Sequence, residues 1–184
     1  DGTNWTNGGA LDTARSNGHA TTGLLTAGLT VGGTTPSLTT TTEEYNGTAW
    51  TESGNMNTAR SNLAGSGTQT AALAYGGLTP PATTATEEYN GSTWTTSTAT
   101  LSTGIARNSS AGSAASTGLS FGGNPPGIST TEEYNVSTST ITGAAWASGG
   151  NTNDRTGGRI NFGTQTAAMS GGGLYVPNPG YTNE

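Results

Sequence analysis

TEEYNGTAW at residues 42–50 decides how this chain is read, because it comes back. It recurs as TEEYNGSTW at 86–94 and, worn down, as TEEYNVSTS at 131–139. A fourth copy is split between the two ends, DGTNW at 1–5 and YTNE at 181–184. Tyr45, Tyr89 and Tyr134 stand 44 and 45 residues apart. A fixed period of this size marks a repeat architecture, in which each unit buries its apolar faces against its neighbours.

Within the best-preserved copy, Asn46-Gly47 accepts positive φ at both turn positions and predicts a two-residue hairpin turn. It joins a Thr-rich strand ending at Tyr45 to a short strand carrying Trp50. Asp1-Gly2 and Asn90-Gly91 offer the same turn, whereas Asn135-Val136 lacks the glycine and should turn differently. Downstream of Trp50 come Met56, Ala59-Arg60, the small-residue run SNLAGSG at 61–67, TQTAALAY at 68–75, and Gly76-Gly77. The second run alternates polar and apolar residues as a buried strand does. The first is small throughout, which suits a strand crowded against its symmetry mates near an axis. Pro80-Pro81 precedes the next Thr-rich strand, which must start after it because proline cannot donate to a ladder. Each repeat thus reads as four strands.

The other repeats carry the same punctuation. Ala-Arg recurs at Ala14-Arg15 and Ala106-Arg107, with Asp154-Arg155 in the last copy, and Gly-Gly at 32–33, 122–123 and 172–173. From the Trp position to this Arg the spacing is 10, 10, 13 and 16 residues, counting Ser139 as the last Trp position. No segment shows a 3.6-residue period, and Gly and Thr are too dense for helix interiors. A four-stranded sheet repeating at this interval is the β-propeller signature.

Double glycine, then Tyr, then Trp, then Arg before the next strand resembles the kelch repeat. The resemblance spans the whole chain, although the repeats are shorter than usual and Ser139 stands where Trp is expected. It implies an all-β, kelch-like β-propeller of four four-stranded repeats, a single domain over 1–184 divided at about 1–45, 46–89, 90–134 and 135–184. In such propellers the Trp strand is outermost in its blade. The N-terminal strand at 1–6 is then expected to pair beside the C-terminal strand and complete the last blade, hiding two sheet edges. A closed four-blade ring and a segment of a larger ring both fit.

Composition narrows function. The 184 residues include no Lys, five Arg, eleven carboxylates and no Cys, for a formal net charge of −6. Phosphate binding depends on clustered cations, so nucleic acid is excluded as an expected partner. Without Cys there is no disulfide or thiolate chemistry. No apolar run is long enough to span a membrane as a helix, and no membrane insertion is expected. A chain starting at Asp1 is expected to be an excised, processed or partial product.

A residue present once per blade reads as scaffold; one that breaks the repeat is the better functional candidate. Glu43-Glu44, Glu87-Glu88 and Glu132-Glu133 are adjacent along strands, so each pair faces opposite ways and does not converge for acid–base work. Their recurrence alongside Arg15, Arg60 and Arg107 predicts structural Arg–Glu contacts. Trp5, Trp50 and Trp94 are expected to pack over their blades. His19 stands alone and cannot build a multi-histidine metal site. Trp146, in the longest inter-blade loop and off the repeat, is the aromatic to assign to a ligand or partner. The unique polar loop at 149–159 adds Asp154 and Arg159, and Tyr175 completes the candidate contact set. A single carboxylate, Asp154, makes a weak calcium site.

No catalytic, cofactor-binding or metal residues are expected. The TEEYNG-type repeats are similar to kelch-like repeats in marine phage particle proteins. That resemblance implies a non-enzymatic structural or display module, external on a virion or cell surface, mediating assembly with other protein subunits or attachment. The alternative is a carbohydrate-binding, receptor-recognition propeller.

Overall fold

A computed structural model describes residues 3–18, 20–124 and 127–136, together with the backbone of five short strands between 145 and 175. Among the described residues every regular element is a β-strand. Three antiparallel four-stranded sheets follow one another along the chain, each a simple meander. The first contains β1 (Ala20–Leu24), β2 (Ala27–Val31), β3 (Thr42–Tyr45) and β4 (Trp50–Ser53). The second contains β5 (Ala64–Thr68), β6 (Ala71–Tyr75), β7 (Thr86–Tyr89) and β8 (Trp94–Thr96). The third contains β9 (Ser109–Ala114), β10 (Thr117–Phe121), β11 (Thr131–Asn135) and β12 (Ala145–Ser148).

The fourth repeat is described only in part. Its described strands form a hairpin of β14 (Ile160–Thr164) with β15 (Ala167–Gly171), and a short pair of β13 (Thr156–Gly157) with β16 (Leu174–Tyr175). The first strands of successive sheets lie against one another, β1 by β5, β5 by β9, and β9 by β14.

Period-two alternation explains how one sheet packs on the next. In β6, Leu73 and Tyr75 face the third sheet and cluster with Leu101, Ile105 and Tyr134. Ala72 and Ala74 face the other way, leaving room for Leu29 and Val31 of the first sheet beside Tyr89 and Trp94. The second strand of each sheet, β2, β6 and β10, thus sets bulky residues on one face and small ones on the other. Fully burying one such large apolar side chain contributes about 1.5–3 kcal/mol.

The first strands need small residues for a measurable reason. A Cβ on Gly65 would stand 2.9 Å from the Ala20 Cβ, and one on Gly112 would stand 3.1 Å from the Ser66 Cβ. The Gly-Gly pairs that end the second strands are equally constrained. Gly76 and Gly77 have φ of 64° and 97°, and a Cβ on Gly76 would meet the Ile105 carbonyl at 2.6 Å.

Two expectations are corrected here. The Asn-Gly turns are four residues long, not two: Tyr45 pairs with Trp50 and Tyr89 with Trp94. Gly47 and Gly91 take positive φ, but the asparagines do not. The Asn46 Oδ1 instead accepts the Thr48 and Ala49 N–H groups, each at 2.9 Å, and Asn90 caps Ser92 and Thr93 likewise. A side-chain cap thus replaces the second left-handed residue. The expected N-terminal strand is also not formed over its described part. Residues 3–10 carry no strand and Trp5 is fully exposed, so it does not pack over a sheet. Its expected pairing segment at 176–184 lies outside the described residues.

Candidate functional site

The recurring charges are consumed between strands. In the first repeat Glu43 pairs with Arg15 and accepts the Asp12 and Thr13 N–H groups. In the second, Glu87 lies 3.0 Å from Arg60 and accepts the Asn57 and Thr58 N–H groups. Arg60 is fully buried and also donates to the Gly76 and Ala85 carbonyls, each at 2.9 Å. Burial lowers its pKa, and the Glu87 carboxylate opposes that. The predicted Arg–Glu contacts therefore exist in two repeats.

The third repeat corrects the register. The Gly77 N–H donates to the Ile105 carbonyl as the Gly33 N–H does to the Arg60 carbonyl. Ile105, not Arg107, occupies the buried arginine position. Glu132 still accepts the Ser102 N–H at 2.8 Å. Arg107 corresponds instead to Asn17 and Asn62: all three have positive φ, from 52° to 57°, and Asn62 and Arg107 each donate N–H to the preceding one's carbonyl. The arginine found by spacing is thus two residues out of place, because an Ala-Arg dipeptide imitates the motif.

The second glutamate of each TEEY serves the next sheet. Tyr89 Oη donates to Glu44 Oε1 and lies within hydrogen-bond reach of Ser53 Oγ, and Tyr134 Oη donates to Glu88 Oε1. Burial first, then the adjacent carboxylate, pushes the Tyr89 and Tyr134 phenols up to about 12. Burial also raises Tyr75. Trp94 donates its indole N–H to Thr42 Oγ1 at 2.9 Å, across the same boundary. These groups hold sheets together.

What remains open is a cleft of about 510 Å³ between the first strands, at the end where they turn into the second strands. Its polar walls are Thr21 and Thr22 of β1, Thr68 of β5, and Ser110 and Ser113 of β9. Leu24 supplies an apolar side, and among the described residues no charged side chain lines it. Because β1, β5 and β9 each end a sheet, each has one ladder edge that no described strand pairs with. Thr22 Oγ1 bonds one such edge group, the Gly67 carbonyl. The cleft can therefore present neutral donors and acceptors from both hydroxyls and backbone. Among the described residues there is no group of three His, Asp or Glu able to hold a metal ion.

Two of the candidate residues read from sequence have a described backbone position. Trp146 is not in a loop off the repeat: it lies on β12, opposite Tyr134, in the register that pairs Trp50 with Tyr45 and Trp94 with Tyr89. The repeat tryptophan was displaced by an insertion before it, and Ser139 is not its counterpart. Tyr175 lies on β16 opposite Thr156. Asp154, Arg159 and His19 lie outside the described residues.

Leu24 and Leu25 were missed. They are 75% and 90% exposed on the turn at the cleft mouth, where the second repeat has Thr68 and Gln69. Gln69 donates to the Gly28 and Tyr45 carbonyls of the first sheet, a tie that leucine cannot make. LLTA aligned against TQTA carried the signal. No protein-family model matches the chain, and no curated protein is similar to it by sequence.

Proposed function

We propose that the chain is a kelch-like, four-bladed β-propeller serving as a non-enzymatic display or attachment module on the outside of a virion or cell. The fold reading is supported by three consecutive four-stranded meanders whose first strands lie together, with the β14–β15 hairpin beside β9. The observation that carries the functional reading is the use of the repeated charged groups. Arg15, Arg60, Glu43, Glu87, Glu44 and Glu88 are all engaged in strand and sheet contacts, not gathered at an open site. Such a module joins protein subunits or contacts a surface through its turns. Antibody labelling of intact particles or cells bearing the chain tests this. Exterior label is expected; label seen only after lysis would reject it.

A second reading, a carbohydrate-binding propeller, is favoured by one specific feature. The hydroxyl-lined cleft, with no charged side chain among its described walls, has the size of a small-molecule pocket and matches the chemistry of a neutral sugar.

A further inference from the structure

We infer that this cleft holds one neutral sugar ring, inserted between the turn-bearing ends of β1, β5 and β9, with Leu24 against its C–H face. The inference deepens the carbohydrate reading and rests on it. Three observations converge. First, the cleft is lined by groups that both donate and accept, the hydroxyls of Thr21 and Ser113 among them, which suits a ligand whose own hydroxyls do both. Second, no charged side chain among the described residues lines it, so against these walls an ionic ligand would lose hydration without a counter-charge, whereas a neutral polyol would not. Third, Leu24 breaks the repeat at this position, replacing the polar Thr68 of the second repeat with an apolar wall. Sugars have one face richer in C–H, and an apolar side opposite hydroxyls orients such a ring.

The surrounding strands are suited to hold the ligand in place. Gly65 and Gly112 set β5 close against β1 and β9, with no room for a Cβ at either contact. The cleft is a preformed gap, and filling it needs little ordering of the protein.

The test is a titration of the full chain, labelled with ¹⁵N, with glucose, galactose, mannose and N-acetylglucosamine, alongside the anionic N-acetylneuraminate. At least one neutral sugar is expected to give saturable shifts at Thr22, Gly67, Thr68, Ser110 and Ser113. Ser113→Trp, at an exposed position, fills the cleft and should weaken binding by at least about tenfold with an unchanged melting temperature. Thr68→Trp is the second plug if the first variant misfolds. Leu24→Thr, which restores the residue of the second repeat, should weaken binding several-fold. Saturable binding that survives both plugs, or maps to other residues, overturns the cleft assignment while leaving the carbohydrate reading intact. Absence of saturable shifts with every neutral sugar overturns both. Tighter binding of N-acetylneuraminate than of any neutral sugar overturns the neutral-ligand assignment.

Discussion

The Tyr134 hydroxyl donates to Glu88 Oε1 at 2.8 Å, across the boundary between the second and third sheets. One period earlier, Tyr89 does the same to Glu44. Within TEEY, therefore, the first glutamate is buried against its own repeat and the second receives the next repeat's tyrosine. Adjacent strand residues face opposite ways, so one dipeptide serves two interfaces.

Removing one of these hydroxyls takes a donor from a carboxylate that water still reaches, half-buried at Glu44 and exposed at Glu88. Tyr134→Phe is expected to destabilise the fold by about 0.5–1.5 kcal/mol, and Tyr89→Phe by a similar amount. Urea unfolding with an unchanged slope would measure it. A variant as stable as the parent would mean the hydrogen bond contributes nothing net.

The same contacts set an alkaline limit. Burial and the facing carboxylates hold the Tyr89 and Tyr134 phenols near 12, against about 10 in an unfolded chain. Between these values the unfolded state releases protons that the folded state keeps, so stability falls as pH rises. Their contribution is intact below about pH 10 and is lost progressively toward about pH 12. The Tyr89→Phe/Tyr134→Phe pair should flatten this decline without abolishing it, because Tyr75 is raised as well. Melting temperature across the alkaline range, in parent and variant, gives the comparison.

Arg60 and Glu87 test the buried pair. Arg60→Ala removes one partner of a fully buried ion pair and should cost about 3–5 kcal/mol. Arg60→Ile should cost less, since the third repeat itself places Ile105 at this position while Glu132 keeps its backbone donor. Arg107→Ala, at an exposed position, should stay within about 0.5 kcal/mol. Equal losses for Arg60→Ala and Arg107→Ala would contradict the register described above.

The strand meander was legible because period-two patterning, Gly-Gly pairs and Pro80-Pro81 all mark strand ends through local backbone chemistry. The inward glutamates were legible too, since strand alternation alone separates Glu43 from Glu44. Arg107 and Trp146 were misread for one shared reason: a dipeptide or a spacing was followed where the register decides. The third repeat's longer connections shift both residues along the sequence while Gly77–Ile105 and Tyr134–Trp146 keep their places. The cleft was not legible as such. It arises from unpaired edges of three distant strands, and only the Leu24-Leu25 break in the repeat pointed toward it.

Trp146 provides the sharpest contrast between the two readings of that residue. Its backbone pairs opposite Tyr134, as that of Trp94 pairs opposite Tyr89. Trp94 is buried, with its ring centroid 4.9 Å from that of Tyr89. If register determines role, Trp146→Ala should unfold more readily by about 3–5 kcal/mol, as Trp94→Ala should. Trp5→Ala, at a fully exposed site, should melt with the parent. A Trp146→Ala chain that melts with the parent but loses partner or glycan binding would instead return this residue to the contact surface. The two outcomes separate on a single thermal melt, before any ligand is known.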